Sequence, residues 1–305
     1  MGLHDGRVVV VTGAAGGIGR EHALEFARQG AKVVVNDLGP AQAVVDEIRA
    51  VGGEAVANSD DVSDWDGAGR LIDTAIDTFG ELHVLVNNAG ILRDKMFVNM
   101  DIDMWDAVIK VHLRGTFAPT KHAVAYWRRM HKAGTPLSHP RIINTSSPSG
   151  LYGNVGQANY GAAKAAIASF TVILADELTR LGITVNAIAP SALTQMTQGL
   201  DAYVAKMAEI KERTGFDAGS PRNISPPVVW LASEEADNIT GRVFNVKGGT
   251  ISVAETWVAG PGVEREGRWD PAELGEVIPR LVAEARANSD GSGSPRRDPA
   301  VTTGY

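Results

Sequence analysis

The sequence predicts a three-layer α/β/α sandwich around a parallel sheet, and two observations carry this prediction. Unbroken β-branched runs, such as Arg7–Thr12 and Ala31–Asp37, suit strands that are buried on both faces of a parallel sheet. These runs alternate with segments of helix length along the chain. Parallel strands joined in this way need right-handed crossovers, which place helices on both faces of the sheet.

Strand-like runs recur along the chain, and a helix follows the first of them. That helix is predicted to begin near Ile18 and to end by Gly30. A later Ala-rich run, NYGAAKAAIASFTVILADEL, is strongly helical in character. The predicted strands are Arg7–Thr12, Ala31–Asp37, Glu54–Asn58, Leu82–Asn87, Arg141–Thr145, Ile183–Ile188 and Arg242–Val246.

The order of these elements predicts a single domain over residues 1–287. Within it, residues 191–220 form either a mobile segment that covers the substrate or an ordinary pair of surface helices. The large side chains of this segment include Met196, Tyr203 and Met207. Residues 288–305 are rich in Gly, Ser, Pro and charge and lack an apolar face. They are predicted to be a flexible tail, unless a partner subunit orders them.

Composition narrows the classes of function. The 305 residues include 29 basic and 36 acidic ones, so the formal net charge is −7, which argues against nucleic acid or an anionic membrane as partner. Cysteine is absent and the histidines show no metal-ligand spacing, so neither disulfides nor a metal site is predicted. No apolar run approaches the roughly 18 residues of a membrane helix. The N-terminus has no features of a leader, and we expect a cytoplasmic protein.

A glycine cluster lies between the first strand and the first helix. In the run Thr12–Gly19, the glycines Gly13, Gly17 and Gly19 permit a tight turn, close approach of the backbone to a pyrophosphate, and close packing of helix on strand. Ile18 opens a helix whose free N–H groups and positive dipole end attract phosphate. A glycine cluster alone is often an ordinary turn, but this position predicts a Rossmann-type dinucleotide site.

Asp37 favours NAD over NADP as the dinucleotide. It ends the second strand, where a carboxylate can accept hydrogen bonds from both ribose hydroxyls. A 2′-phosphate would meet like charge there, and neither Gly16 nor Leu38 supplies the basic side chain that NADP needs. The alternative is that Asp37 is a plain turn former at the end of a strand.

Two further turns are candidates for the same cofactor. Asp61 and Val62 follow the third strand and could hold the adenine. Asn88, Ala89 and Gly90 follow the fourth strand and could line the ribose side. Each of these turns, taken alone, would be unremarkable in any protein.

Tyr160 and Lys164 are the candidate catalytic pair. A spacing of four in a helix puts both side chains on one face. A tyrosine titrates near pH 10, and a neighbouring ammonium is expected to lower that pKa, so that the phenol can exchange a proton with a substrate oxygen. Ser147, just beyond a predicted strand, can hydrogen-bond and orient the same oxygen. Such a pair alone is usually structural; with Ser147 and the dinucleotide site it predicts an alcohol–ketone oxidoreductase.

These motifs together resemble the classical short-chain dehydrogenases/reductases. The family signature appears here as TGxxxGxG, NNAG and Ser–x12–Tyr–x3–Lys, and the resemblance covers about Leu3 to Val258. It implies a seven-stranded parallel sheet with helices on both sides, a nicotinamide cofactor, and a homodimer or homotetramer. The Ala-rich helix that carries Tyr160 is slim enough for close pairing with a second copy, although core burial would explain its alanines equally well.

Two positions depart from the family pattern. His112 stands where most members have Asn, which helps to hold a water beside the lysine. Its ring could serve in a proton relay, or its backbone carbonyl could hold the water while the ring packs, and the second interpretation is favoured. Pro190 belongs to the cofactor site by the resemblance, but Ser191 follows it where the family usually has Gly.

A narrower resemblance is to the (3R)-hydroxyacyl-CoA dehydrogenase part of peroxisomal multifunctional enzyme type 2, also called 17β-hydroxysteroid dehydrogenase type 4. It implies NAD-linked interconversion of a 3-hydroxyacyl-CoA and a 3-ketoacyl-CoA. The segments that carry it are Val34–Gly39, Asn87–Asp94, Val111–Gly115, Tyr152–Tyr160 and Met196–Gln198.

Three other functions fit parts of the pattern. A hydroxysteroid dehydrogenase would use the same triad on a ring alcohol, so the substrate is either an acyl-CoA thioester or a steroid. Asp37 argues against a 3-ketoacyl-carrier-protein reductase that runs with NADPH. A non-catalytic NAD-sensing scaffold on the same fold would not need Ser147, Tyr160 and Lys164 together.

Overall fold

The computed structural model describes residues 2–194, 201–255 and 257–295. Its strands are β1 Val8–Thr12, β2 Lys32–Asn36, β3 Glu54–Asn58, β4 Val84–Asn87, β5 Arg141–Thr145, β6 Thr184–Ser191, β7 Val243–Lys247 and β8 Thr250–Ala254. Its α-helices are α1 Gly17–Arg28, α2 Ala41–Ala50, α3 Trp65–Phe79, α4 Ile102–Ile109, α5 Gly115–Lys132, α6 Pro148–Tyr152, α7 Ala158–Leu178, α8 Asp201–Thr214, α9 Ser225–Leu231 and α10 Leu274–Glu284. All strands join one sheet in the order β3-β2-β1-β4-β5-β6-β7-β8. The predicted α/β/α sandwich is confirmed.

The sheet contains one strand more than the sequence predicts. The first seven strands pair in parallel, but β8 runs antiparallel to β7, with Lys247 opposite Thr250 across a two-residue turn. Gly248 in that turn has a φ of 53°, a conformation that glycine adopts without steric cost. The prediction of seven strands is therefore wrong by one, because the Gly248–Gly249 pair makes a hairpin.

The strands are buried on both faces, as the β-branched runs indicate. Successive residues of a strand point to opposite faces, so Val9 and Val11 of β1 join one core cluster while Val8 and Val10 join another. The first cluster also contains Phe26 of α1, Ile48 of α2 and Val228 of α9. The second also contains Leu71 of α3, Trp127 of α5 and Ala175 of α7. These two cores fix the helices, and hence the loops at the carboxyl ends of the strands.

The described residues fall into two compact units that divide between Ala254 and Glu255. The first unit holds the sheet and helices α1 to α9. The second holds α10, which follows a short turn where Asp270 and Glu273 form a reciprocal capping box. Residues 296–305 lie outside the described residues, so the single domain over 1–287 and the flexible tail stay predictions.

One stretch among the described residues, Ala158–Leu181, is long and apolar enough to cross a membrane by length and composition, with 33% of its most apolar window buried. The sequence predicts no such segment. The stretch includes α7, which packs against β5, β6 and α6. Core helices of soluble proteins pass the same test, and α7 has that place in the fold.

Two buried histidines, His4 and His22, and the partly buried His83 should make the folded protein sensitive to acid. Burial lowers the pKa of His4 to about 4, of His22 to about 3 and of His83 to about 4, from an ordinary value of 6.5. In the unfolded chain they take up protons near that ordinary value, whereas in the folded chain they stay neutral. Their contribution to stability is therefore complete above pH 6.5 and is lost as the pH falls towards 4.

Urea unfolding over this pH range should show the effect, and His22→Leu should reduce the slope of unfolding free energy against pH. His22 is fully buried, and one ring nitrogen contacts the Ser225 hydroxyl at 2.9 Å while the other has no partner. The exposed His131, changed to Leu, is the control and should leave the slope unaltered. Equal slopes for the two variants would contradict the assignment.

Candidate active site

The loops that carry the predicted site residues meet at one edge of the sheet. β1 lies between β2 and β4, which is the point where the order of the strands reverses. Open α/β sheets bind ligands outside the carboxyl ends of the strands at this switch point. The glycine turn follows β1, Asp37 follows β2, and the Asn88–Gly90 turn follows β4.

The glycine turn leaves no room for a side chain at Gly13 or Gly19. Gly13 and Gly17 have φ values of 63° and 54°, which favour glycine. A Cβ on Gly13 would lie 2.7 Å from the Cα of Ala89, and one on Gly19 would lie 2.1 Å from the carbonyl oxygen of Gly13. The backbone of this turn therefore packs directly on the turn that follows β4 and presents bare peptide groups to a ligand.

The N-terminus of α1 suits the phosphates of a dinucleotide. The helix begins at Gly17, and its N-cap, Gly16, provides no side-chain cap for the N–H groups of the first turn. Such N–H groups, together with the helix dipole, attract an anion. Ile18 packs its side chain against the core, so it anchors the helix while its backbone faces the turn.

Asp37 is held beside the glycine turn. Its Oδ2 accepts a hydrogen bond from the backbone N–H of Ala15 at 2.9 Å, and its Oδ1 accepts one from the N–H of Gly39 at 2.8 Å. A carboxylate oxygen can accept more than one hydrogen bond, so both retain capacity for ribose hydroxyls. The residues present thus fit an adenine ribose with a free 2′-hydroxyl.

Asp61 and Val62 lie at the end of the loop after β3. Asp61 Oδ1 accepts hydrogen bonds from the N–H and the hydroxyl of Ser63 at 2.8 and 2.6 Å, and its Oδ2 lies 3.8 Å from the ammonium of Lys110. Burial acts to raise the pKa of Asp61, but these hydrogen bonds and the nearby cations outweigh it and hold the pKa below its ordinary value. Asp61 is therefore an ionised, fixed acceptor, while Val62 is buried.

Thr12 joins the two cofactor turns, a role that the sequence does not reveal. Its hydroxyl oxygen accepts hydrogen bonds from the backbone N–H groups of Asn88 and Ala89 at 2.9 and 3.1 Å. The side-chain amide of Asn88 donates in return to the carbonyl oxygens of Thr12 and Gly13, at 2.9 and 3.0 Å. Asn88 is thus bound to the glycine turn, and its contact with a ribose stays a prediction.

Gly90 completes that turn against the ring of His112. A Cβ on Gly90 would lie 2.3 Å from Cε1 of the imidazole. The ring Nε2 lies 2.7 Å from the carbonyl oxygen of Ile91 and 3.0 Å from its N–H. One nitrogen can serve only one of these groups, and the shorter contact favours donation to the carbonyl oxygen.

The His112 ring is neutral and edge-on to Tyr160. Burial and then the charge of Lys164 lower its pKa to about 3. The two rings are 5.1 Å apart between centroids at 85°. Its Nδ1 is buried without a partner among the described residues, and its backbone carbonyl accepts from the N–H of Gly115 in a π-helical turn. Both the proton relay and the backbone water site remain predictions, but the ring does more than fill space because it binds Ile91.

Ser147 is the N-cap of the short helix α6. Its hydroxyl oxygen accepts a hydrogen bond from the N–H of Ser149 at 3.1 Å, and the residue is buried. α6 packs closely on α7, where a Cβ on Gly150 would lie 2.6 Å from the backbone of Lys164 and Ala165. Gly150 therefore sets the distance between the helix that begins at Ser147 and the helix that carries the other two residues of the triad.

The structure brings Ser147, Tyr160 and Lys164 together. The Tyr160 hydroxyl hydrogen-bonds Ser147, and the ammonium of Lys164 lies 5.6 Å from the centroid of the Tyr160 ring. Lys164 is almost completely buried and donates to the carbonyl oxygen of Thr145 at 2.6 Å. A substrate oxygen beside Ser147 would thus lie near the Tyr160 phenol, with the Lys164 ammonium close to the Tyr160 ring.

The expected cause of tyrosine activation needs correction. The sequence interpretation has the Lys164 ammonium lowering the pKa of Tyr160, but burial raises that pKa, and the hydrogen bond from Ser147 only partly opposes the rise. Burial also lowers the pKa of Lys164 to about 7, so its ammonium is itself only partly retained at neutral pH. The residues of this chain therefore position the phenol but do not ionise it by themselves.

The segment after β6 begins beside β7 and is joined to itself by a backbone hydrogen bond. Pro190 lies in β6 opposite Val246 of β7. Beyond it, the N–H of Leu193 donates to the carbonyl oxygen of Gly219 at 2.7 Å, which ties the two ends of the predicted covering segment 191–220 together. Between them lies α8. Residues 195–200, with Met196 and the Met196–Gln198 run, lie outside the described residues, so substrate covering stays a prediction.

Comparison with known proteins agrees with this geometry. The sequence profile described as short chain dehydrogenase matches residues 7–204. Hydroxyacyl-CoA dehydrogenase ChsB1 of Mycobacterium tuberculosis is 45% identical over 282 residues, which are 88% of this chain and 86% of that protein. Peroxisomal multifunctional enzyme type 2 of Mus musculus is 43% identical over 81% of this chain, but the match spans only 32% of the mouse protein.

Two further matches bear on the substrate and on the fold. The 3-oxoacyl-[acyl-carrier-protein] reductase of Synechocystis is 43% identical over 80% of this chain and 97% of that protein. The crystal structure of a short chain dehydrogenase from Mycobacterium avium superposes with a TM-score of 0.86 and 52% identity. It covers 97% of this chain and 100% of that one, so the similarity extends over both units of the chain.

Proposed function

Because this chain belongs to the short-chain dehydrogenase family, we propose that it interconverts a (3R)-3-hydroxyacyl-CoA and a 3-ketoacyl-CoA with NAD as cofactor. It is an oxidoreductase that acts on CH–OH groups. The observation that carries the proposal is the group of buried Ser147 and Lys164 with the half-buried Tyr160, together with Asp37 fixed beside the glycine turn.

Each residue of the triad has a defined task in alcohol oxidation. The Ser147 hydroxyl hydrogen-bonds the substrate oxygen and orients the carbinol. The Tyr160 phenolate takes the hydroxyl proton and becomes the phenol, and in the reverse direction the phenol returns that proton to the ketone oxygen. Lys164 stabilises the phenolate that accepts this proton, since its ammonium lies 5.6 Å from the centroid of the Tyr160 ring. NAD, when bound, supplies the acceptor for the hydride and a positive charge that favours the phenolate.

The preference for NAD rests on Asp37. We expect NAD to exceed NADP in kcat/KM, because a 2′-phosphate would be brought against this carboxylate. Asp37→Ala should narrow the gap, chiefly by lowering kcat/KM with NAD. Steady-state kinetics with both dinucleotides measures this. Asp46→Ala, on the exposed face of α2, is the control and should leave the ratio unchanged. Equal or better use of NADP by the wild type would refute the preference.

A hydroxyacyl-CoA is favoured by the relatives, and a panel of substrates tests it. The protein of Mycobacterium tuberculosis is named a hydroxyacyl-CoA dehydrogenase, whereas that of Synechocystis is named a carrier-protein reductase. Turnover should therefore be measured on 3-hydroxyacyl-CoA thioesters, on the matching carrier-protein thioesters and on hydroxysteroids. Highest kcat/KM on a CoA thioester supports the proposal, and selective use of either alternative overturns it.

Pairing of two copies is expected to use the face formed by α5 and α7. Phe117 of α5 is 43% exposed and Ile173 of α7 is 51% exposed, so both helices present a large apolar side chain at the surface. A homodimer or homotetramer would bury them. Light scattering at micromolar concentration should give at least twice the chain mass of 32.2 kDa, and Ile173→Glu should shift the population towards monomer. A monomeric wild type would rule the assembly out.

We propose a cytoplasmic location for this protein, in keeping with its negative net charge.

A further inference from the structure

Asn159, the residue before Tyr160, is completely buried and uses both ends of its side chain. Its Oδ1 accepts the backbone N–H of Tyr160 at 2.7 Å. Its Nδ2 donates to the carbonyl oxygens of Arg93 and Met104, at 3.0 and 3.2 Å. One side chain therefore connects the first turn of α7 with the segment after β4 and with α4.

The hydrogen bond to Tyr160 replaces a missing helix cap. The N–H groups of a first helical turn have no partner inside the helix, and a side chain of the N-cap residue commonly takes one of them. Gln157, the N-cap of α7, provides no such bond. Its side chain instead contacts Ser149, Asn154 and Asp94. Asn159 thus satisfies the N–H of the proposed acid/base residue.

The segment 91–95, which Asn159 contacts at Arg93, is held by a hydrogen bond at every second residue. His112 contacts Ile91, Asn159 holds the carbonyl of Arg93, and the N–H of Lys95 donates to the carbonyl of Gly156 at 2.8 Å. This segment continues directly from the Asn88–Gly90 turn, which Thr12 binds to the glycine turn. The cofactor turns and the start of α7 are therefore joined by a continuous set of hydrogen bonds.

We propose that Asn159 is a positioning residue, which fixes the Tyr160 phenol relative to the cofactor turns and to Ser147. The proposal rests on the proposed function, in which Tyr160 is the acid/base. Loss of the Asn159 bonds frees the first turn of α7, and with it the hydrogen bond between Tyr160 and Ser147. Because that bond lowers the pKa of Tyr160 against burial, its loosening raises the pKa further.

Asn159→Ala and Asn186→Ala form a matched pair. Asn186 in β6 is equally buried, and it also donates to one backbone carbonyl, of Ile239, while accepting from one N–H, of Arg242. Both variants should lose thermal stability. Only Asn159→Ala should lower kcat, by about 100-fold, since a displacement near 1 Å can cost that much. Binding of NAD, measured by fluorescence, should stay within about threefold of wild type for both.

Titration of Tyr160 gives a readout that needs no substrate. The ultraviolet difference titration of each variant against the same variant with Tyr160→Phe reports this phenol alone. The midpoint should move to higher pH in Asn159→Ala and stay in place in Asn186→Ala. Equal midpoints for the wild type and Asn159→Ala overturn the proposal even if no alcohol is ever turned over. A wild type that titrates as expected but oxidises no substrate would refute the proposed function instead.

Asn159→Asp keeps the proposal testable if the alanine variant does not fold. It preserves the acceptor for the Tyr160 N–H but sets a carboxylate oxygen against the carbonyls of Arg93 and Met104. Protonation restores a donor, so activity relative to wild type should rise as the pH falls towards the range of carboxyl groups. A ratio that does not change with pH contradicts a positioning role for the Nδ2 contacts.

Discussion

Tyr160→Phe is expected to lower kcat by about 100- to 10,000-fold, which corresponds to about 3–5 kcal/mol of transition-state stabilisation. The variant removes one oxygen, which hydrogen-bonds Ser147 and in the proposed mechanism exchanges the proton, and it leaves a ring that still packs against His112. Folding and NAD binding should be nearly unchanged. The rate should be measured under conditions where hydride transfer limits turnover, as shown by a primary deuterium isotope effect, because product release limits many such enzymes.

The matched control for this variant is Tyr126→Phe. Tyr126 is also buried, on α5, but its hydroxyl is engaged with the backbone of Leu82. The Tyr126→Phe variant should keep wild-type kcat, although it also loses one tyrosine hydroxyl. If Tyr160→Phe binds NAD normally and retains most of its activity on an accepted alcohol, Tyr160 is not the acid/base and the proposed mechanism fails.

Lys164→Met should reduce kcat/KM at least as strongly as Tyr160→Phe, and it should also weaken NAD binding. The variant keeps the volume of the side chain but removes the ammonium that stabilises the phenolate and, by the family resemblance, a ribose contact. It should not be less stable than wild type near neutral pH, because a buried ammonium is costly to desolvate. Calorimetry together with isothermal titration of NAD separates these effects.

The stability of this variant should also differ from wild type in its dependence on pH. The pKa of Lys164 is about 7 in the folded chain against an ordinary 10.5, so between these values the unfolded chain binds the additional proton. The unfolding free energy of the wild type therefore increases through Lys164 as the pH rises from about 7 to 10.5, and this increase is lost as the pH falls back to about 7. The difference between wild type and Lys164→Met isolates that increase. A difference that stays constant with pH would contradict a depressed lysine pKa.

The sequence predicts the strands well because a strand that is buried on both faces has an unbroken β-branched run in its sequence. Each β-branched run predicted as a strand coincides with an observed strand, and the glycines after Thr12 lie where a bare backbone is required. β8 is missed because its large side chains, Ile251 and Val253, are about half exposed and the strand lies at the edge of the sheet, where apolar continuity is weak. The paired glycines before it are the signal that was available.

Contacts between distant segments explain what the sequence does not show. Asn159 adjoins Tyr160 in the sequence, yet its role depends on the carbonyls of Arg93 and Met104, which only the fold brings near. Likewise, a Tyr–Lys spacing predicts proximity, but it does not show that Lys164 is desolvated enough for its own pKa to fall. Spacing identifies the groups, and tertiary burial decides their protonation.

The contact between Gly90 and His112 limits the order in which these two positions can change during evolution. A Cβ at position 90 would lie 2.3 Å from the imidazole, so a side chain there requires the ring to move away from its contact with Ile91. A smaller residue at position 112 removes that obstacle, whereas Gly90 accepts either partner. A side chain at position 90 is therefore expected together with a smaller residue at position 112, which makes Gly90 the permissive member of the pair and His112 the restrictive one.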